Sequence, residues 1–150
     1  MNDFRRQWAD TAEDVHKAVE TVGASGWYIL GEQVRIFEAH LALLWGASQA
    51  IGTASGLDAI EIALKACGVQ RGDKVLTTPM SAFATTMAIV KLGAIPVFCD
   101  TDSNGLIDWN EARDTLRAFP EIRYFVPVHL YGFPLDSRQL LTLIDEFSLT

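Results

Sequence analysis

The chain has 150 residues, a mass of 16.5 kDa and 49% hydrophobic residues, which is enough apolar material for one folded domain and excludes a disordered chain. Nineteen Asp and Glu residues exceed twelve Lys and Arg residues and give a formal charge of -7, which disfavours binding to a nucleic-acid backbone. The first residues predict an amphipathic helix, and no uncharged run approaches the roughly 18 residues that a membrane span requires. We therefore expect neither a nucleic-acid partner nor a membrane partner.

The two cysteines predict a reduced protein without a structural metal. Cys67 and Cys99 lie in apolar stretches without CxxC spacing or clustered histidines, so we expect two core thiols and neither a disulfide nor a zinc site. His16 and His40 lie on predicted helix faces without a partner at metal-ligand spacing, and no metal site is proposed. Together with the absence of a membrane-spanning run, these features predict a cytoplasmic location.

Two amphipathic helices are predicted at the amino-terminal end. The first covers residues 3–22, because apolar residues recur there at spacings of three and four, and the segment from Gly23 to Gly26 ends it. The second has the same kind of pattern and ends at Gly46. Their apolar stripes consist of Phe4, Trp8, Ala12, Val15, Val19 and Val22 in the first helix, and of Val34, Phe37, Leu41, Leu44 and Trp45 in the second.

The rest of the chain alternates between strand and helix patterns. Strands are predicted over residues 50–54, 74–78, 96–100 and 124–128, and helices over residues 56–67, 83–92, 108–119 and 135–147. Four strand–helix units in succession require a parallel sheet with right-handed crossovers, so the fold class is α/β. Leu149 and Thr150 resemble the start of a further strand, and we expect the natural protein to continue beyond them.

The first candidate site is the turn between the first predicted strand and its helix. Small residues at Ser55 and Gly56 allow a ligand to approach the backbone, and the free N–H groups of a helix's first turn attract anions such as phosphate. The same residues also fit a simple helix start, in which Ser55 caps the helix and Asp58 favours its positive end. Neither GxGxxG nor GxxxxGK[ST] is present, so both interpretations stay open.

Two further candidate sites follow other strands, at the edge where open α/β sheets bind ligands. Phe83 follows the strand at 74–78, and it either stacks on a flat cofactor ring or belongs to the core. His129 and Tyr131 follow the strand at 124–128. Both side chains can meet a substrate there. The alternative for His129 is that its ring forms hydrogen bonds with backbone carbonyls.

Five short segments in this order resemble the StrS/DegT family of nucleotide-sugar aminotransferases, and together they cover nearly the whole chain. The segments are GWYILG at 26–31 with Phe37 and Glu38 after it, SGLDAIEIAL at 55–64, GDKV at 72–75, GAIPVFCD at 93–100 and VHLYG at 128–132. The resemblance implies the aspartate aminotransferase fold (fold type I), a three-layer αβα arrangement around a mostly parallel sheet. Residues 1–150 would form the N-terminal segment and the first part of the large, cofactor-binding domain. The rest of that domain and the C-terminal small domain are expected outside this chain.

The family uses pyridoxal 5'-phosphate, and the resemblance assigns contacts with it to matching residues. The backbone of Gly56, Leu57 and Asp58 would hold the phosphate at the start of the helix. Relatives carry an aromatic residue that stacks on the pyridine ring where this chain has Ala82. Either a local shift brings the neighbouring Phe83 to that role, or another group covers the face of the ring.

Three further residues are expected near the substrate or the subunit interface, because family members are usually homodimers with active sites at that interface. They are Tyr28, His129 and Tyr131.

The resemblance implies transfer of an amino group, with glutamate as the donor, to a nucleotide-linked keto sugar in amino-sugar biosynthesis. The GWYILG and GLDA segments look most like those of family members that aminate C3 of a dTDP-linked 3-keto-6-deoxyhexose. The family's Schiff-base lysine and the aspartate at the pyridine nitrogen belong to motifs expected beyond Thr150, so residues 1–150 alone are expected to be inactive. The alternatives are a sugar dehydratase of the same family and a non-catalytic α/β fragment that only binds or dimerises. The lysines of this chain, none of which matches the family motif, are Lys17, Lys65, Lys74 and Lys91.

Overall fold

The computed structural model describes residues 3–150 in two units, one ending at Gly52 and the other running from Thr53 to Thr150. No helix of the described residues is long and apolar enough to cross a membrane. The first unit contains α1 (Phe4–Ser25) and α2 (Glu32–Trp45). The second contains α3 (Gly56–Ala66), β1 (Lys74–Thr77), α4 (Phe83–Lys91), β2 (Ile95–Phe98), α5 (Trp109–Ala118), β3 (Tyr124–Phe125), a turn of 3-10 helix (Leu130–Gly132) and α6 (Ser137–Phe147).

Both predicted helices of the first unit form, but α1 is longer than predicted. It continues through Gly23, since a glycine inside a helix costs only about 1 kcal/mol, and ends at Gly26, which takes a left-handed φ of 64°. Helix α2 ends before Gly46, as predicted. Glu38 of α2 accepts a hydrogen bond from the Gly52 amide at 2.6 Å. No residue of α1 is buried, so its predicted apolar stripe, including Trp8, stays accessible.

The second unit is built on a parallel sheet with the strand order β2-β1-β3. Val75 and Leu76 in the central strand are fully buried, and successive side chains of a strand point to opposite faces. Val75 belongs to a core cluster with residues of α3 and α4, whereas Leu76 belongs to a second cluster with residues of α5 and α6. Helices on both faces of a parallel sheet confirm the predicted three-layer αβα arrangement.

The predicted strand at residues 50–54 does not form, and this prediction is wrong. Residues 51–54 are exposed, and no strand among residues 3–150 hydrogen-bonds to them. Strand geometry is stabilised by ladder hydrogen bonds from a neighbouring strand, so an apolar run without such a neighbour stays irregular.

The strand β3 is shorter than the predicted 124–128. The Val126 amide still donates to the Leu76 carbonyl at 2.9 Å, but the Val126 carbonyl accepts from the Thr77 hydroxyl at 3.1 Å. A side-chain hydroxyl therefore binds the Val126 carbonyl where the next backbone N–H of β1 would do so, and the ladder ends there. On the other side of β3, Thr150 forms hydrogen bonds as a strand residue does, with its N–H 2.8 Å from the Arg123 carbonyl oxygen.

The two cysteines have different environments. Cys99 is buried, as predicted, and burial raises its pKa to about 12. Cys67 is exposed at the end of α3, so its predicted place in the core is wrong. The helix ends in a Schellman motif, in which Gly68 takes a left-handed φ of 94° and the Val69 amide donates to the Leu64 carbonyl at 3.0 Å. Val69 therefore enters the core next to Leu64 in place of Cys67.

Candidate functional site

The turn before α3 is a capped helix start that leaves two amide donors free. Ser55 Oγ accepts from the Asp58 amide at 3.2 Å and donates to Asp58 Oδ2 at 2.8 Å. The N–H groups of Gly56 and Leu57 have no hydrogen-bond partner among the residues that the structure describes. A methyl group on Gly56 would meet no atom within 4 Å, so the backbone there faces open space. Capping and anion binding are therefore compatible at this turn.

The charges beside this turn partly offset one another. Lys91 at the end of α4 forms an ion pair with Glu61, and its Nζ lies 4.0 Å from Asp58 Oδ1. The hydrogen bond to Glu61 raises the pKa of Lys91, and partial burial opposes this only in part. The ammonium therefore stays protonated at neutral pH and offsets the negative charge of the two carboxylates near the first turn of α3.

The loop after β1 presents Ala82 and Phe83. Ala82 is the extended N-cap residue of α4, with φ -61° and ψ 143°, and Phe83 is the first residue of the helix. The Phe83 side chain is 73% exposed, so its interpretation as a core residue is wrong. The ring is free to meet a ligand, and its stacking on a cofactor stays a prediction.

The loop after β3 presents His129 and Tyr131. The Nδ1 atom of His129 accepts a hydrogen bond from the Leu135 amide at 3.0 Å, so the backbone partner is an amide and not the expected carbonyl. Tyr131 has a left-handed backbone with φ 52° and is 83% exposed. Both side chains lie at the carboxyl end of the strand, where α/β folds bind ligands.

The loops that follow the three strands meet at Gly105, after β2. A methyl group on Gly105 would lie 3.5 Å from side-chain carbons of both Met80, after β1, and Leu130, after β3. The turn at Gly105 is held by Asp102, whose carboxylate accepts two backbone N–H bonds at 2.8 and 3.0 Å. Burial raises the pKa of Asp102, but these bonds outweigh it and lower the pKa. The sequence predictions do not include this role of Asp102, although residues 102–105 read Asp-Ser-Asn-Gly, which is a strong turn signal.

The remaining predicted residue, Tyr28, lies in the first unit. It is 70% exposed, and its hydroxyl donates to the Gly23 carbonyl at 3.5 Å. Its predicted role at the substrate or the interface stays a prediction. Within residues 3–150, no group of three or more His, Cys, Asp or Glu side chains is arranged to hold a metal ion.

Two curated relatives are aminotransferases that act on sugars, according to their names. The chain is 38% identical to a dTDP-3-amino-3,4,6-trideoxy-alpha-D-glucose transaminase of Micromonospora megalomicea subsp. nigra, over 91% of this chain and 36% of the relative. It is 34% identical to a UDP-N-acetyl-3-dehydro-alpha-D-glucosamine 3-aminotransferase of Acidithiobacillus ferrooxidans, over 99% of this chain and 40% of the relative. The chain therefore spans about two fifths or less of the length of these relatives.

Solved structures and a family profile agree with these relatives. The structure of DesV from S. venezuelae has a TM-score of 0.90 and 30% identity, over 98% of this chain and 39% of that chain. The structure of NtdA from Bacillus subtilis, with bound cofactor PMP, has a TM-score of 0.87 and 29% identity, over 94% of this chain and 32% of that chain. The profile of the DegT/DnrJ/EryC1/StrS aminotransferase family matches residues 9–150. This chain belongs to the DegT/DnrJ/EryC1/StrS aminotransferase family.

Proposed function

We propose that this chain provides the phosphate-binding part of a pyridoxal 5'-phosphate site in an enzyme that transfers an amino group to a nucleotide-linked keto sugar. Family membership supports the reaction class and the cofactor. The observation that carries the cofactor assignment is the pair of N–H groups at Gly56 and Leu57, which have no hydrogen-bond partner within residues 3–150 and lie at the start of an 11-residue helix, with open space beside Gly56. These donors suit a phosphate group, since they combine hydrogen bonds with the positive end of the helix dipole.

Two parts of the chain offer groups that fit the cofactor. Gly56 and Leu57 would donate to two phosphate oxygens, and the Asp58 amide would join them only by giving up its bond to Ser55. Phe83, in the loop after β1, offers an exposed ring for contact with a flat heterocycle. When bound, pyridoxal phosphate supplies an electron-accepting ring for amino-group transfer. The part of this chain is to bind the phosphate and to orient the ring.

For the acceptor, we propose a dTDP-linked 3-keto-6-deoxyhexose, with glutamate as the amino donor and a homodimer as the assembly. Relatives named as transaminases of dTDP-3-amino sugars support the position of the new amine. The relative named for a UDP-linked sugar is also named as a 3-aminotransferase. The names of the relatives therefore support amination at C3 more strongly than they support dTDP as the nucleotide. Tyr28, His129 and Tyr131 are proposed to contact the substrate or the partner subunit.

The cofactor assignment is tested by titrating the chain with pyridoxamine 5'-phosphate and with pyridoxamine in a calorimeter. Hydrogen bonds to a charged group are worth about 1.5–3 kcal/mol each, so we expect the phosphorylated compound to bind at least about tenfold more tightly. Equal affinities for the two compounds would contradict a phosphate site on this chain.

We also propose that the catalytic lysine is supplied from outside residues 1–150, so that these residues alone do not transaminate. Lys91 is bound by Glu61, and Lys74 forms an ion pair with Glu121 and lies 4.3 Å from the centre of the Phe119 ring. A protonated ammonium in an ion pair is a poor nucleophile. The chain is mixed with equimolar pyridoxal phosphate and reduced with borohydride, and the labelled lysines are identified by mass spectrometry. We expect no lysine to be labelled to a greater extent than the others. Stoichiometric labelling of a single lysine would contradict this proposal.

A further inference from the structure

The loop of residues 129–135 is closed by a side chain and not by a backbone ladder. The Nδ1 atom of His129 accepts from the amide of Leu135, six residues later, at 3.0 Å. Leu135 itself is buried in the core cluster that contains Leu76. The hydrogen bond therefore ties the carboxyl end of β3 to a fixed point of the core.

Inside this loop the backbone is held in an unfavourable conformation. Tyr131 has φ 52° and ψ 26°, in the left-handed region that a residue with a side chain seldom adopts, and Gly132 follows with φ 82°. The Phe133 amide donates to the Leu130 carbonyl at 2.9 Å. Such a conformation persists only where the surroundings fix it, and strained residues of this kind cluster at functional sites.

The beginning of the loop lies beside a second turn. The Leu130 side chain lies next to Gly105, since a methyl group on Gly105 would be 3.5 Å from its Cδ2 atom. The loop that carries Tyr131 is thus held by the hydrogen bond between His129 and Leu135 at its two ends and by the position of Leu130 beside Gly105. Tyr131, at 83% exposure, is the side chain that this arrangement displays.

We propose that His129 is a positioning residue: its ring is the tautomer with the proton on Nε2, and it closes the 129–135 loop so that Tyr131 is presented at the carboxyl edge of the sheet. An N–H group at Nδ1 would face the Leu135 N–H, and two donors cannot share a hydrogen bond. The ring therefore has only Nε2–H left for a ligand, so it donates to an oxygen atom there and does not accept. The ligand part of this inference rests on the proposed function, whereas the loop closure does not.

The test compares three variants of His129 in this chain. In His129→Asn the side-chain oxygen can occupy the position of Nδ1 and keep the acceptor, whereas His129→Gln places its amide near the position of Nε2, and His129→Ala has no acceptor. Amide hydrogen exchange of Leu135 is measured relative to that of Leu76 in the same sample. Loss of one hydrogen bond is expected to speed the exchange of Leu135 by about tenfold in the Gln and Ala variants, with little change in Asn.

The ratio of the Leu135 exchange rate to the Leu76 exchange rate keeps the test valid if a variant loses overall stability. Nitrogen NMR of the His129 ring in the unmodified chain identifies the tautomer without any substitution. An Nε2–H tautomer together with rescue by Asn supports the proposal. An Nδ1–H tautomer, or equal Leu135 exchange in the Asn and Gln variants, overturns it. Both readings are made without cofactor, so a failure of the cofactor titration leaves them unaffected and contradicts only the proposed function.

Discussion

The Gly56→Pro variant is expected to bind pyridoxamine 5'-phosphate about tenfold or more weakly than the unmodified chain. Proline has no N–H, so the substitution removes one of the two free donors at the start of α3. A lost hydrogen bond to a charged group accounts for an effect of this size. Calorimetric titration measures it directly.

The fold should tolerate this proline, which makes the loss of affinity specific. Gly56 is the first residue of α3, the helix position at which proline is favoured. Ser55 already has φ -157° and ψ 164°, the extended conformation that a following proline requires. The space next to Gly56 is open to a side chain.

A matched control is Ser137→Pro, which makes the same change at the first position of α6. The preceding Asp136 is also extended, with φ -63° and ψ 114°, so the backbone tolerates proline there too. This variant should bind pyridoxamine 5'-phosphate as the unmodified chain does. Unchanged affinity in Gly56→Pro, or an equal loss in both variants, would refute the assignment of the phosphate to α3.

The second large effect concerns stability. Leu76 is fully buried in the central strand, where it packs in the core cluster shared with α5 and α6. Leu76→Ala removes buried methyl groups and leaves a cavity, so we expect the free energy of unfolding to fall by about 2–5 kcal/mol. Urea unfolding followed by circular dichroism measures this change.

The control for this substitution is Leu141→Ala on α6, where the side chain is 60% exposed. A surface substitution of this kind is expected to change the free energy of unfolding by about 0.5 kcal/mol or less. A loss below about 1 kcal/mol in Leu76→Ala would show that the central strand is not packed as described.

The sheet and its helices could be predicted because their signals are local. The buried run around Val75 and Leu76, with glycines that end the helices on either side, is enough to indicate a strand within a βα unit. The predicted strand at 50–54 fails because its formation depends on a partner strand, which periodicity does not report. The prediction that Cys67 lies in the core fails because helical periodicity does not report where the helix ends. The Schellman turn at Gly68 redirects the chain and brings Val69 into the core.

The candidate site was predictable in part. Phe83 follows a predicted strand that forms, so its place at the carboxyl edge of the sheet follows from the fold class, whereas the strand predicted before Gly56 does not form. The bond of His129 to Leu135 and the left-handed backbone of Tyr131 depend on the path of a loop, which residue types alone do not specify. The meeting of three loops at Gly105 depends in turn on the strand order.

The most direct test of the central claim is to follow the amide signals of the isotope-labelled chain by NMR during a titration with pyridoxamine 5'-phosphate. If the start of α3 holds the phosphate, the largest shifts fall on the Gly56 and Leu57 amides, and titration with pyridoxamine does not reproduce them. If the largest shifts fall elsewhere, or if these two amides do not respond, the chain does not carry the phosphate site proposed for it.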